Sequence, residues 1–469
     1  MDVPPSPLDR FPFNAKGTAH LIGITGSGMK AVAEILDDMG WTVTGCDADP
    51  DPEAMNSLTN QGITVTCGHH ISHLIPKPDV LIYSPAIPGS HRERAFASDF
   101  GLPQFSYVDF LRDFTATRTT VAVAGTHGKS TTTALIGHVL RFTGKTHGGC
   151  DPSLICGAEI KEYQRNGWFG TGPYTVVEAC EFRRHFLELS AGVRCLLGID
   201  EDHFDCYPTR EDAVAAYASF AAQTPTDGVL IVNADCRSTL EIGQWRGRSV
   251  ATFSLRNSSA DFFAESIEVD GDHTRIHVYG DGDFKGAVRL PMWGDHNVSN
   301  ALAAMATLFY CGLSFEEVRV GLESFPGLRR RLQRRSCPLD VPAYDDYAHH
   351  PTEVRAALQA VKAGRPDSRI VCVFQPHQML RTRRLMAEFA NSLSQADRVW
   401  LLPVYAAREH AGTECVDLSQ ELAKLVRQAG TPAELISELD RVWPTLQTDA
   451  DSADVILTLG AGTLTRIHA

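Results

Sequence analysis

Two stretches of this chain carry residue types whose spacing suits phosphate chemistry. One is Gly125-Thr126-His127-Gly128-Lys129-Ser130-Thr131, placed directly after the apolar run "TTVAVA" and before a helical pattern. Glycines in such a loop let backbone N–H groups converge on phosphate oxygens, the lysine reaches the β and γ phosphates, and the next hydroxyl can ligate Mg²⁺. Val123 stands where the general GxxxxGK[ST] pattern has its first glycine, so Gly125 implies a shorter loop. A glycine-rich turn without a ligand is the bland alternative. The strand–loop–helix setting and the Gly-Lys-Ser run favour a nucleoside triphosphate.

The other stretch, Gly26-Ser27-Gly28-Met29-Lys30-Ala31, fits GxGxxA, with Asp47 at the end of the next apolar run. Alone it reads as a dinucleotide loop, or as a tight strand–helix turn with no ligand. A dehydrogenase has no use for the downstream loop, however. The pair fits ATP in one domain and a diphosphate-bearing substrate in another, as an ATP-driven ligation requires.

A triphosphate needs a divalent cation. Glu178 ends the run "YTVVE", a place from which a carboxylate reaches Mg²⁺. His203, in "GIDEDHFD", lies among Asp200, Glu201, Asp202 and Asp205. Because Mg²⁺ prefers oxygen, chemistry alone makes His203 a hydrogen-bonding residue of an acidic loop before it makes it a ligand.

The elements that must position these groups fall into three blocks. "AHLIGI", "KAVAEILDDMG", "WTVTGCD" and "DVLIYSPAI" read as β, α, β and β, the last followed by Ser84. The pattern restarts with "TTVAVAG", the second loop and a helix through Phe142, then the β runs "YTVVEA", "RCLLGI" and "GVLIVNA". Residues 249–290 alternate apolar and polar between turn signals and predict an antiparallel insertion with one exposed face. "NVSNALAAMATLFYCG" reads as a helix closed by Gly312. The third block has strands "AYDDY", "RIVCVF", "RVWLLPVY" and "DVILTLG", with chemistry expected at their C-terminal ends. The expected architecture is α/β in three domains: a Rossmann-like N-terminal domain (1–115), a central P-loop ATPase domain with a β insertion (116–325), and a Rossmann-like C-terminal domain (326–469).

Composition narrows the partners. The 469 residues carry 57 acidic and 43 Lys and Arg side chains, a net charge of −14. That argues against nucleic acid or an anionic membrane surface as the main partner. Twelve cysteines occur without a CxxC pair, which predicts reduced thiols in a cytoplasmic enzyme. The polar, Pro-rich start has no apolar signal core and is expected to fray, and no run approaches the roughly 20 apolar residues of a membrane span.

In order, "GITGSGM", "SPAIP", "AGTHGKSTTT", "EACEFRRHF", "IDEDHFD", "GDHNVSNALAA", "GLRRRL", "DDYAHHPTE", "FQPHQMLRTRRL" and "GAG" resemble the Mur ligases nearly end to end. "AGTHGK" with "DDYAHHPTE" is similar to the alanine-adding and muropeptide-recycling branches, and "GSGM" favours the former. The resemblance implies that Gly26, Ser27, Gly28 and Met29, with Asp47, His69 and Ser84 nearby, hold the UDP of UDP-N-acetylmuramate. It implies that Gly125 to Thr131 hold ATP. The γ-phosphate would pass to the muramyl carboxylate, and the amine of L-alanine would attack the acyl phosphate through a tetrahedral intermediate.

By the same resemblance Ser130, Glu178 and His203 surround Mg²⁺ or Mn²⁺, and His296, Asn297 and Asn300 meet the adenine. Arg330 and Arg331 reach toward ATP, where the bland reading of "RRRLQRR" is a solvated basic face. Tyr347, His349 and Arg381 surround the alanine, a guanidinium being the natural partner of its carboxylate; His350 is a structural neighbour. Lys129, Glu178, His203, His349 and Arg381 form the implied catalytic set, since two anions must be brought together. Against the family pattern, Thr25 replaces a common Gly, Gly198 an Asn, Gln378 an Arg, Ser130 a Thr and Leu332 a Phe. A monomer or homodimer is expected. The rival readings are the peptide-recycling ligase and a non-catalytic nucleotide-sugar sensor, against which an intact Lys129, Ser130 and Glu178 set weighs.

Overall fold

The three blocks of alternating pattern fold into three sheets. The computed structural model describes residues 10–147, 150–244, 249–407, 409 and 412–468. In the first sheet, β1 (Thr18–Ile22), β2 (Thr42–Asp47), β3 (Thr64–Cys67), β4 (Val80–Tyr83) and β5 (Gln104–Ser106) are all parallel in the order β3-β2-β1-β4-β5. Its helices are α1 (Ser27–Asp38), α2 (Pro52–Asn60), α3 (Arg92–Asp99) and α4 (Tyr107–Thr115). Gly40, at φ +83°, follows α1 in the left-handed conformation that closes a helix. Residues 1–9 lie outside the described residues. The expected fraying does not extend to Phe11, which is buried against Trp41, Phe105 and Phe110 and donates its N–H to Asp113.

The central sheet has ten strands. They are β6 (Thr119–Ala124), β7 (Ser153–Ile160), β8 (Arg165–Trp168), β9 (Tyr174–Glu178), β10 (Val193–Leu196), β11 (Val229–Asn233), β12 (Ser249–Ser254), β13 (Phe262–Asp270), β14 (His273–Gly280) and β15 (Asp283–Leu290). The order is β15-β14-β13-β12-β11-β10-β6-β9-β7-β8. β6 lies inside a parallel core, and the second loop leaves its C-terminal end into α5 (Lys129–His147), which runs past the expected end at Phe142. The antiparallel insertion is smaller than 249–290. β12 pairs in parallel with β11 and belongs to the core sheet, and only β13–β15 form the antiparallel meander. Alternating burial reports a half-covered strand, not its direction, so the pattern of β12 misled.

The third sheet contains β16 (Gln333–Arg335), β17 (Ala343–Asp346), β18 (Arg369–Phe374), β19 (Arg398–Leu401), β20 (Ala433–Leu435) and β21 (Asp454–Leu459). Their order is β16-β17-β21-β18-β19-β20, with β16 alone antiparallel. No helix among the described residues is long and apolar enough to cross a membrane.

One contact sets the first sheet against the second. α1 lies on the β7–β8 hairpin, where Gly167 has no room for a Cβ, which would sit 2.8 Å from the Ala31 carbonyl oxygen. Beside it the Lys30 ammonium, 2% exposed, reaches Glu159 (2.6 Å), Asn166 (2.9 Å) and Glu34 (3.3 Å). Glu34 accepts the N–H groups of Asn166 and Gly167, both at 2.8 Å. Burial pushes the Glu34 carboxyl up, against the pull of Lys30 and Arg165. Removing one partner of such a network strands the others in low dielectric, whereas removing all the charge together costs far less. Lys30→Ala should therefore destabilise the protein by about 3–5 kcal/mol in urea unfolding. The combination Lys30→Met, Glu34→Gln and Glu159→Gln should lose less than Lys30→Ala alone; a larger loss would mean that the charges themselves hold the interface.

Candidate active site

The C-terminal ends of strands from all three sheets meet at one cleft of about 540 Å³. Thr25, Gly26 and Ser27 line it from the first loop, Lys129 and Ser130 from the second, and Arg331, Tyr347 and His349 from the third sheet. A second cavity of about 320 Å³ adjoins it, with His296, Asn297, Asn300 and Thr131 in its wall. Gly128, Arg331 and Glu353 belong to both. The two cavities thus meet at the second loop, as a nucleotide with its base in one and its phosphates in the other would require.

The second loop owes its shape to two glycines. Gly125 and Gly128 hold φ of +143° and +82°, and a Cβ on Gly128 would lie 2.2 Å from the Asn300 amide oxygen. The Lys129 ammonium bonds the carbonyls of Gly125 (2.6 Å) and Thr126 (3.0 Å) and the Glu181 carboxylate (2.9 Å). Burial works against this charge, but Glu181, Cys180 and Glu178 together outweigh it and the lysine pKa rises. Glu181 was not singled out in the sequence. Its other oxygen is buried without a partner, and His203 Nε2 lies 3.6 Å from the bonded one.

Glu178 turns toward β7, where its Oε2 accepts the Gly157 N–H at 2.6 Å. Gly157 is needed there, since a Cβ would fall 2.7 Å from both carboxylate oxygens. Ser130, Glu178 and His203 all line the cleft. Among the described residues, however, the groups of metal-ligating atoms converging within 4.8 Å include neither Glu178 nor His203. Mg²⁺ completes its shell with phosphate oxygens and water. The hydroxyl and carboxylate fit that ion as contributors, and the buried, unpartnered His203 Nδ1 and Glu181 oxygen leave polar capacity beside them.

The arginine run is not a solvated face: of its five arginines only Arg334 is exposed. Arg329 and Arg335 both bond Glu53 on α2, at 2.9 and 3.1 Å. Arg330 bonds the Gly460 carbonyl and lies over the Tyr347 ring at 4.8 Å. Arg331, at the junction of the cavities, has a buried Nε with no partner. That orphaned donor fits a phosphate.

His349 lines the cleft, and burial lowers its pKa to about 4, Glu353 opposing. It is neutral at pH 7, with Nδ1 3.1 Å from the Tyr347 carbonyl oxygen. His296 is likewise lowered to about 4, by burial and by Arg331. Arg381 does not line the cleft. It is 2% exposed, with Nε and Nη2 at 2.8 and 2.7 Å from Asp202 Oδ1 and Nη1 at 3.1 Å from His377 Nδ1. Gln378, at φ +66°, caps the helix Met379–Arg384 that carries Arg381 and is also off the cleft.

The first-loop residues divide. Gly26 and Ser27 face the cleft, while Gly28, Met29, Asp47, His69 and Ser84 do not line it. Met29 is core. Gly28 is demanded by packing, since a Cβ would meet the Tyr107 ring at 2.8 Å. Asp47 accepts the hydroxyl (2.6 Å) and N–H (3.2 Å) of Thr25, so the unusual Thr25 ties the loop to β2. Ser84 lies under Gly23, and His69 turns toward Cys46 and Glu93.

Comparison with known proteins gives a consistent answer. Residues 18–119 match the model described as Mur ligase family, catalytic domain, residues 123–308 the Mur ligase middle domain, and residues 330–462 the Mur ligase, glutamate ligase domain. The UDP-N-acetylmuramate–L-alanine ligase of Salinibacter ruber is 36% identical over 449 residues, 95% of this chain and 92% of that protein. The ligase of the same name from Desulfitobacterium hafniense is 32% identical over 450 residues, 96% of this chain and 98% of that one. Among solved structures, the UDP-N-acetylmuramate-alanine ligase of Thermotoga maritima superposes with TM-score 0.80 at 26% identity, covering 96% and 97% of the two chains. A murein peptide ligase of Psychrobacter arcticus shares the fold, with TM-score 0.71 at 24% identity over 96% and 97%.

His127 of the second loop makes a bridge with a measurable consequence. Its Nε2 lies 3.2 Å from Asp200 and its Nδ1 3.1 Å from Glu353, so both ring nitrogens face carboxylates. Burial opposes the charge, yet the bonds to Asp200 and Glu353 raise the pKa to about 9. The folded value lies above the unfolded one. The contribution is therefore complete below about pH 6.5 and is lost as pH rises through about 9. Stability of the wild type should fall across that window, and His127→Gln should flatten the fall. An unchanged pH slope in the variant would place the titration elsewhere.

Proposed function

Because the chain belongs to the Mur ligase family, we propose that it is an ATP-dependent ligase joining L-alanine to the carboxylate of UDP-N-acetylmuramate in peptidoglycan precursor synthesis. The observation that carries this reading is the shared cleft: both phosphate loops and the third sheet's His349 and Arg331 open onto it. In this reading the domains divide near residues 115 and 325. UDP lies along the first loop, ATP along the second with its base beside His296, Asn297 and Asn300, and alanine near Tyr347 and His349.

The residues then have definable work. Lys129 and Arg331 offset the charge where the γ-phosphate meets the muramyl carboxylate. Ser130 and Glu178, with His203 beside them, would hold Mg²⁺, which neutralises phosphate charge when bound. With its Nδ1 turned to the Tyr347 carbonyl, His349 keeps Nε2 as the acceptor that orients the alanine amine. The arrangement favours attack on an acyl phosphate because the amine meets a neutral acceptor at His349. Arg381 is the proposed carboxylate partner through the N–H groups its terminal nitrogens do not commit to Asp202 and His377.

Phosphate release with ATP and UDP-N-acetylmuramate, run across L-alanine, glycine, L-serine and a tripeptide, tests the whole reading. L-alanine should give the highest kcat/KM. Preference for the tripeptide would indicate the recycling ligase, and absence of ADP release with both nucleotides bound would indicate a sensor. Lys129→Ala should lose at least ~10²–10³ in rate with an unchanged circular dichroism spectrum; near-wild-type ADP release would remove the second loop from the mechanism. Arg381→Ala should raise the L-alanine KM roughly 10- to 150-fold, as a charge-assisted bond of about 1.5–3 kcal/mol implies, and should harm alaninamide less. Equal losses for the two would make Arg381 a positioning residue for Asp202.

A further inference from the structure

Away from the cleft, on the face of the first sheet that α3 covers, side chains of metal-ligating type gather around one buried carboxylate. It belongs to Glu93, in the first turn of α3, with none of its surface exposed. Its Oε1 accepts the His70 N–H at 2.9 Å and lies 2.8 Å from His73 Nδ1. Its Oε2 lies 3.2 Å from Cys46 Sγ and 3.6 Å from His69 Nδ1. On the opposite side is His20, from the middle of β1 and 2% exposed. Its Nδ1 is 2.8 Å from the Thr44 hydroxyl, and its Nε2 is buried with no partner. One donor atom from each of His20, Cys46, His73 and Glu93 falls within 4.8 Å of all the others.

A hydrogen-bond hub accounts for part of this. A carboxylate surrounded by imidazoles and a thiol is satisfied on its own, and His69 and His91 extend the hub. It does not account for His20, whose tautomer Thr44 can set while the remaining nitrogen points to nothing. A histidine held by a hydroxyl at one ring nitrogen and free at the other is how a metal-bound imidazole is oriented. One sulfur, two nitrogens and one oxygen suit a borderline-soft, four-coordinate ion and not the oxygen-seeking Mg²⁺ or Ca²⁺. Bonds of about 2.0–2.3 Å place tetrahedral ligand atoms about 3.3–3.8 Å apart, so the observed spacing needs only side-chain adjustment.

We propose that His20, Cys46, His73 and Glu93 form a site for a Zn²⁺ ion. On binding, the Cys46 thiol releases its proton to solvent, the proton that His73 Nδ1 shares with Glu93 moves to the other ring nitrogen, and the Glu93–His73 hydrogen bond is exchanged for two bonds to the ion; no electron moves. With four protein ligands the site has no open position, which is the structural type. It joins β1, β2, the segment after β3 and α3. Cys46 immediately precedes Asp47, which holds Thr25, so the ion braces the first loop from behind. None of the four ligands lines the cleft.

The test uses the full chain, stripped with chelator and desalted. Co²⁺ should bind at one per chain and give a thiolate-to-metal charge-transfer band in the near ultraviolet, which Zn²⁺ then abolishes. Cys46→Ser should remove the band, and Cys67→Ser, an exposed thiol at the end of β3, should keep it. In competition with a chromophoric chelator, His73→Gln should weaken Zn²⁺ binding at least about 100-fold, the upper end of the loss from a mere outer partner. If Cys46→Ser does not fold, the partly exposed His73→Gln decides. A wild type with no band and no stoichiometric Zn²⁺ overturns the proposal. So does binding that survives both substitutions, which would place the ion at His69, His91 and Glu93 or, beside the second loop, at His127, Asp200 and His350.

Discussion

The buried ammonium of Lys30 fixes where the two loops lie relative to each other. It comes one turn after Gly26 and Ser27, on the helix that the first loop opens, and its partner Glu159 sits on a strand two away from the one that launches the second loop. Both loops are rigid for local reasons: Gly128 against Asn300, Thr25 tied to Asp47. Local rigidity would still leave two binding sites on two independent bodies. The Lys30–Glu34–Glu159 contact, buried and charged on both sides, makes them walls of one cleft. Such a network tolerates little displacement, because any gap strands a charge away from water.

The cleft follows a second rule, which concerns how an acidic protein receives anionic ligands. Its cations are present but already held. In its wall Lys129 bonds Glu181, Lys30 bonds Glu159 and Arg329 bonds Glu53; behind it Arg381 bonds Asp202, and in the adjoining cavity His127 lies between Asp200 and Glu353. Each pairing prevents the mutual repulsion that several uncompensated cations would suffer in a partly buried space. Arg331 differs in leaving its Nε without a partner, at the junction where phosphates would pass from one cavity to the other. A phosphate arriving there gains a donor without displacing a carboxylate, whereas at Lys129 it competes with Glu181.

What the sequence disclosed and what it hid separate along one line. Features encoded in consecutive residues were legible: both glycine loops, the strands feeding them, Gly40 and Gly312 as helix ends, the three α/β blocks. Features made by residues far apart in the chain were not. Lys30 meets Glu159 across 129 positions, and Arg381 meets Asp202 across 179. Nothing local marks either pair, so Lys30 reads as an ordinary helix residue and Arg381 as a partner for the alanine carboxylate alone. Glu181 was missed for a different reason. Glu178 ends a strand and so announces its direction, while Glu181 lies three residues later in an irregular turn whose geometry no periodicity reports. The short β16 and β20 were invisible because three residues give no period.

The third sheet shows how a locally unremarkable run acquires meaning from its neighbours. "RRRLQRR" has the composition of a solvated surface, yet Arg329 and Arg335 converge on a single carboxylate, Glu53, carried by the first domain. Arg329 also pairs with Glu159 of the central domain at 2.8 Å, so the run ties the third domain to both others beside Arg330 and Arg331. Glu53 sits on α2, directly after the strand whose Asp47 anchors the first loop. The first and third domains therefore meet at the loop expected to hold one anion, through arginines adjacent to those expected to hold the other. A shift of α2 relative to the first loop would move Glu53 and the arginines it holds, and so change the spacing of both phosphate sites together.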